Sequence, residues 1–249
     1  MHRNAVLSAL CVVALALPAT IAVGASATES SHGVRDMGRG GDHKRYSTSL
    51  DTASSAIPTT AKPSVDDRAV TTIRTRVAGA KGVASSIATS DCDGCTAQST
   101  VFQVIYIDGR GGAAADNVAS AWSSCVGCAS SAVSVQLVVS RRVQPLVVNN
   151  RSLAVNADCV ECSTSAAAIQ FVLAGGSGRT LSTQARELIT QIQAELADRL
   201  APPAGAERRV APVDPRTAAE ETAKKLEQVV LKDLRVSKLQ RNVDVSVAG

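Results

Sequence analysis

The chain has 249 residues, 45% of them hydrophobic but only 2% aromatic, and its 26 basic and 22 acidic side chains give a net charge of +4 at pH 7. A charge this small and dispersed, with few rings to stack on bases, provides no nucleic-acid surface. Large rings ordinarily dominate core burial, so a domain built from Ala, Val and Ser must bring its backbone layers close together around a thin core.

The opening MHRN is weakly basic, and AVLSALCVVALALPATIAV follows before Ala25-Ser26-Ala27. A basic tip, an apolar run and a small-residue site predict a secretory signal over residues 1–27. A retained anchor competes, because the run is about long enough to span a bilayer, but Pro18 interrupts it and the cleavage site argues for removal. A lipoprotein role for Cys11 is disfavoured by Leu10, which stands where a small residue is needed. No second long apolar segment follows, so the processed chain is expected to be secreted or held at the cell envelope without a transmembrane anchor.

Residues 28–67 are polar, rich in Gly, Ser and Thr and without apolar periodicity, which predicts a disordered leader. His32 and His43 fall here and read as bystanders. From Val70 the texture changes, with Val70, Ile73, Thr75 and Val77 outlining a strand.

A repeat then occupies residues 68–180. Cys92/Cys95, Cys125/Cys128 and Cys159/Cys162 form three C-x-x-C pairs, their first members 33 and 34 residues apart, and Gln103, Gln136 and Gln170 each lie 11 residues after a first cysteine. Such regularity implies one supersecondary unit used three times. The segments STVFQVIYI, SAVSVQLVV and AAAIQFVLA read as strands. If each pair closes a hairpin turn, Cys125 faces Cys128, Ala121 faces Ala132 and Asn117 faces Gln136. Asp93-Gly94 suits such a turn, whereas Val160-Glu161 suits it poorly. In the third unit a one-residue bulge is needed to restore the pairing. A competing reading makes 113–123 and 152–158 short Ala-rich helices, and strand is preferred.

Beyond the AGGSGRT loop, Leu181, Leu188, Ile189, Ile192, Leu196 and Leu200 recur at helical spacing, predicting an amphipathic helix over 181–201 capped by Ser182 or Thr183. A Pro-rich linker covers 202–215. Residues 216–249 then hold a helix opened by a Thr217/Glu220 capping box, with Ala223, Leu226, Val230 and Leu234 on one face, and a short strand at NVDVSVAG. That strand either closes a sheet edge or hangs free.

An exported chain with six cysteines left after processing favours disulfides. Zinc usually draws four ligands from two such knuckles, so three pairs leave one over, and no histidine lies in the folded region. Single reduced pairs could chelate copper(I) or zinc. Redox catalysis needs a stabilised thiolate, and Asp91, Asp93, Asp158 and Glu161 would instead raise a thiol pKa. The preferred reading is a local staple, Cys92–Cys95, Cys125–Cys128 and Cys159–Cys162, although six cysteines allow fifteen connectivities. Gln103, Gln136 and Gln170, with Asn117 facing the second of them, are candidates for a buried polar ladder. A polar floor to a ligand site is the rival interpretation. There is no H-E-x-x-H, G-x-S-x-G or phosphate-binding loop, so no catalytic residue, metal site or cofactor is expected.

The stretches NVASAWSSCVGCASSAVSVQLVV and NRSLAVNADCVECSTSAAAIQFVLAGG resemble a repeat of exported actinobacterial proteins, some of them labelled peptide zinc metalloprotease proteins. The resemblance covers roughly residues 80 to 175 and implies an envelope or secreted location without an established activity. The zinc-peptidase motif is missing here, so no peptidase function carries over, and the first unit, GVASSIATSDCDGC, matches least well.

Together these readings predict an α+β chain: a mainly β repeat domain of three CxxC hairpin-like units followed by two amphipathic helices. The expected role is a secreted, non-catalytic cell-surface or interaction module, stabilised by intra-unit disulfides and meeting an unidentified envelope or protein partner. The alternative is an envelope protein that chelates metal or handles thiol–disulfide exchange through its CxxC pairs.

Overall fold

The computed structural model describes residues 50–176, 178–200 and 214–248. The signal segment, most of the leader and most of the linker lie outside them. In chain order the elements are β1 (Thr52–Ala56), β2 (Ser64–Thr75), β3 (Ala80–Ser90), β4 (Thr96–Ile107), β5 (Ala113–Ser123), β6 (Ala129–Ser140), β7 (Leu146–Asn156), β8 (Ser163–Ala174), α1 (Thr183–Leu200), α2 (Pro215–Leu234) and β9 (Gln240–Ala248).

Successive strands alternate between two sheets. One has the order β1-β3-β5-β7 and the other β2-β4-β6-β8-β9. Pairing is parallel throughout, except that β9 runs antiparallel to β8. The chain therefore winds as a β-solenoid: a strand in the first sheet, a corner, a strand in the second sheet, a corner, and so on, each strand stacking on its equivalent one coil earlier. Neighbouring coils in such a stack rise by about 4.8 Å.

This arrangement replaces the expected hairpins. β5 and β6 flank Cys125/Cys128 but belong to different sheets, as do the strands on either side of the other two pairs. Each C-x-x-C is thus the apex of an arch whose legs meet through side chains, while their backbone bonds go to the coils above and below. The strand reading of 113–123 holds as β5, and 152–158 lies mostly within β7. The extra residue of the third unit sits just before Cys159. Ser124 and Ala157 both donate to the preceding coil, at Ser90 O and Ser123 O, and Asp158 then adopts φ +51° before the cysteine columns realign.

A fourth coil precedes the three that carry cysteines. β1 and β2 stack on β3 and β4 in continuous register, so part of the expected leader is ordered sheet. Its corner keeps the same length, with Thr60 and Pro63 standing where Cys92 and Cys95 stand, and it is closed by reciprocal backbone bonds between Thr59 and Lys62 of 3.0 and 2.9 Å.

Two cores of different texture result. Between the sheets lies an alanine layer of Ala56, Ala88, Ala97, Ala119, Ala121, Ala132, Ala166 and Ala168, the thin core that the composition demands. On its other face the five-stranded sheet presents Phe102, Val135, Leu137, Ile169 and Phe171 to the helices, which answer with Ile189, Leu196, Leu226, Val230 and Leu234. Strands β4, β6 and β8 are consequently buried on both faces, which explains their nearly continuous apolar text.

Ser182 caps α1, its Oγ accepting from Ala185 N at 3.1 Å, while Asp233 receives its backbone N–H and hydroxyl. Tyr106 holds the loop before α1 by accepting from Leu181 N at 2.7 Å, and burial pushes its hydroxyl pKa above the ordinary value. The stripe expected on α1 is only partly correct: Leu188 is exposed, and Gln193 is buried instead, donating to Val101 O and Val133 O at 2.7 and 3.0 Å. The capping box expected at Thr217 is displaced. Asp214 is the N-cap, Pro215 opens the helix, and the Asp214 carboxylate accepts from Thr217 N at 2.9 Å. Pro suits that first position because its missing N–H would have no partner there anyway.

The last strand closes an edge. β9 pairs with β8 and leans over the neighbouring edge of β7, where Asp244 accepts from Ser152 N at 2.6 Å and Ser246 from Ala154 N at 3.0 Å. The far end of the same sheet is treated alike: Asp67 of β2 accepts from Ser55 N of β1 at 2.7 Å.

Candidate functional site

Three features stand out: a polar ladder inside the solenoid, a column of cysteines along one corner, and an open sheet face beside that corner.

The ladder arises because Gln103, Gln136 and Gln170 share one register position in β4, β6 and β8. Gln136 Nε2 donates to Gln103 Oε1, and Gln170 Nε2 to Gln136 Oε1, both at 2.7 Å. Each Nε2 also reaches a carbonyl of the facing sheet: Val83 O, Asp116 O or Asn149 O. The row starts on Leu50 O and Thr52 Oγ1, and it ends on Gln170 Oε1, which has no partner among the described residues. Asn117 does not bond Gln136. It crosses to Ser134 O and Ile169 O, and donates to Asn150 Oδ1 at 2.7 Å, in a second, shorter row. The three glutamines and Asn117 have no exposed surface to speak of, and apart from Gln170 Oε1 neighbouring coils occupy their hydrogen-bonding groups, so they line no open cavity.

The cysteines close on themselves as Cys92–Cys95, Cys125–Cys128 and Cys159–Cys162, with Cα separations of 5.4, 6.0 and 5.9 Å, within the range a disulfide accepts. Because the corners stack, the bridges stack. Cys128 Sγ lies 3.3 Å from Cys92 O and Cys162 Sγ 3.1 Å from Cys125 O, and since a bridged sulfur carries no hydrogen, these are packing contacts. The corner backbones join too, Gly94 N donating to Val126 O and Gly127 N to Val160 O at 2.8 Å. Gly94 and Gly127 have φ of +69° and +66°, and Glu161, their equivalent, +57°. A left-handed residue is required at this point, and glycine meets the requirement without a Cβ penalty. Behind the bridges, Ser130 Oγ accepts from Ser123 and donates to Trp122 O at 2.8 Å. Asp91, Asp93, Asp158 and Glu161 are exposed around this corner.

The open face belongs to the four-stranded sheet. Along its strands more buried residues alternate with less buried ones, and the helices pack on the opposite side of the molecule against the other sheet. Register aligns Ile87 with Ser120 and Leu153, and Thr89 with Trp122 and Val155. Ile87, Trp122 and Leu153 are 41%, 44% and 56% exposed, and Val126 and Val160 continue the apolar surface onto the corner. Trp122, the only tryptophan in the chain, thus stands at the junction of face and corner. Arg151 and Asp116 form an ion pair of 3.5 Å farther down the face. The sequence signal for this patch was the large apolar residues at the outward positions of alternating strands, legible only once the buried positions are known.

Among the described residues no three His, Cys, Asp or Glu side chains gather as metal ligands, and no helix is long and apolar enough to cross a membrane. No family model matches the chain, and neither the curated proteins nor the solved structures contain a match.

Proposed function

We propose that the chain is an exported, non-catalytic interaction module of the cell envelope, in which the solenoid is a rigid platform and the open sheet face around Trp122 is the contact surface. The observation that carries this reading is the exposure of Ile87 and Leu153 at one register level and of Trp122 at the next outward level, on a sheet whose opposite partner is buried under helices. Exposed apolar side chains grouped on a regular surface mark interaction sites more often than scattered ones do, and tryptophan is among the residues enriched at binding hot spots. The signal-like opening over residues 1–27 and the paired cysteines suit an exported location. The disulfides serve this role by fixing the corner from which the face extends.

The test uses the single tryptophan as its own reporter. Purified, oxidised protein is titrated with isolated cell envelope while tryptophan emission and sedimented protein are followed. Binding accompanied by a blue shift of emission, and lost in Trp122→Ser and in Ile87→Ser with Leu153→Ser, is expected. Binding undiminished by these changes would overturn the assignment. Alkylation of the exported protein separates the rival envelope reading: six reactive thiols with bound metal would favour chelation, and none favours staples.

A further inference from the structure

We propose that a second copy of this chain pairs with the free edge of β2, so that two solenoids join through their five-stranded sheets about a two-fold axis at Val70.

The edge is open and long. β2 has 12 residues, pairs only with β4 and contains no proline. Thr96 N donates to Pro63 O and Asp108 N to Thr75 O, so the odd-numbered residues of β2 turn their peptide groups toward β4. The even-numbered residues, 64 to 74, turn theirs outward, and no strand or side chain among the described residues bonds those N–H groups. The four-stranded sheet is closed at both ends, Asp67 covering β1 and Asp244 with Ser246 covering β7, while β9 covers β8 and forms the far edge of the five-stranded sheet. Natural edges of this length usually carry a device against pairing, and here the charges instead favour one partner.

Antiparallel pairing must oppose even residues to even residues, because only these offer outward donors and acceptors. When Val70 meets Val70 of the second copy, Asp66 falls opposite Arg74, Arg68 opposite Thr72, and the two-fold repeats each pair. Five narrow pairs then supply about ten backbone hydrogen bonds. Sliding the strands two residues one way opposes Arg68 to Arg74. Sliding two the other way sets Asp66 and Arg68 against Thr72 and Val70 and forfeits both ion pairs; sliding four sets Arg68 against its own copy in one direction and, in the other, keeps only three pairs within β2, centred on Thr72, with no ion pair. Like charges directly opposite are destabilising and opposite charges favourable, so the β2 sequence selects the Val70-centred register. Arg74 already places Nη1 on Asp108 at 3.3 Å and lies over the Tyr106 ring at 4.8 Å, which fixes its position and leaves its other N–H groups for Asp66 of the second copy. Val70 is 45% exposed and borders a shallow cleft lined by Thr183, Arg186, Glu187, Thr190 and Gln191, which the second copy would cover.

The experiment is cysteine cross-linking with sedimentation of the exported chain. Narrow antiparallel pairs have Cα atoms about 5.5 Å apart, inside the disulfide range, so Val70→Cys should run as a covalent dimer on non-reducing gels. Thr72→Cys should not cross-link alone, but should do so when mixed with Arg68→Cys. The unmodified chain should sediment as a dimer, and Asp66→Lys should weaken it about tenfold without altering the circular dichroism. A monomer at about 100 μM, far above a micromolar dissociation constant, would overturn the proposal. So would equal cross-linking of Val70→Cys and Thr72→Cys, or an open series of larger species, which points to head-to-tail contact of β2 with the outer edge of β9. A dimer insensitive to Asp66→Lys would refute the register.

Discussion

Gln136 donates its side-chain amide to Gln103 Oε1 at 2.7 Å, one coil away in space and 33 residues away in sequence. Its own oxygen accepts from Gln170, so it is the one glutamine of the row with a glutamine on either side. Gln136→Met preserves volume but leaves Gln103 Oε1 and one Gln170 donor unmatched, with an expected loss of about 2–4 kcal/mol. Gln170→Met strands Gln136 Oε1 and withdraws a donor from Asn149 O and Ala115 O, but it breaks the row at its end and removes an acceptor without a partner among the described residues, so about 1–2 kcal/mol is expected. Urea denaturation of the two variants should rank them in that order.

Each bridge closes a loop of only four residues, for which the chain-entropy estimate is about 2 kcal/mol. Cys125→Ser with Cys128→Ser should therefore lower stability by roughly that amount while the far-ultraviolet circular dichroism stays that of the intact solenoid. The corner of the first coil already shows that the turn forms without cysteines. Collapse of the β signal after one pair is removed would contradict a merely supporting role.

Glu161 occupies a left-handed position that its equivalents Gly94 and Gly127 fill without strain. Glu161→Gly should raise stability by about 0.5–1 kcal/mol, the relief of the Cβ penalty less the entropy of a freer unfolded chain. Thermal denaturation checks the sign, and a lower midpoint would show that the glutamate makes a compensating contact.

Asp244 accepts from both the backbone N–H and the hydroxyl of Ser152, at 2.6 and 3.0 Å. Asp244→Ala should cost about 1–3 kcal/mol and speed amide exchange at Ser152 more than at the interior strand β5. Uniform acceleration across the sheet would mean that the strand cap acts only through global stability.

The N–H and hydroxyl of Thr217 hold the Asp214 carboxyl below its usual value. Its folded-state pKa being depressed, the cap's contribution is present above the unfolded value, near pH 4, and is lost as pH falls through the folded one. Acid titration should fray the start of α2 in that window, read as lost helical signal, and Asp214→Asn should flatten this step.

Much of the architecture follows from spacing. The nearly constant interval of the cysteines and the fixed offset of Gln103, Gln136 and Gln170 mark one unit reused, and the periodicity of Ile189, Leu196, Leu226 and Val230 marks helices lying on something apolar. Hairpin and arch, however, set the same residues face to face. Ser123 approaches Ser130 across the corner in either case, and only the backbone partners differ. The preference for the arch lies in the near-equality of successive intervals, 33 and 34 residues, since a stack needs coils of closely similar length whereas tandem hairpins do not. The first coil escaped notice because Thr60, Pro63 and Thr71 replace its two cysteines and its glutamine, and because Ser and Thr suit the interior of so narrow a sandwich as well as they suit a loop. Trp122 was legible as a residue but not as a surface, for its outward direction depends on which alternate set the alanines occupy.

The stacking of the corners, with or without sulfur, has a consequence for how the molecule can change. Each winding touches only the one before and the one after, so stability accumulates by neighbour terms, and the two ends carry dedicated closures in Asp67 and in β9. Excising or duplicating one whole winding, for instance residues 113–145, leaves both closures and every remaining stacking contact of the same type. The open sheet face could thus be lengthened or shortened in fixed increments without redesigning the fold.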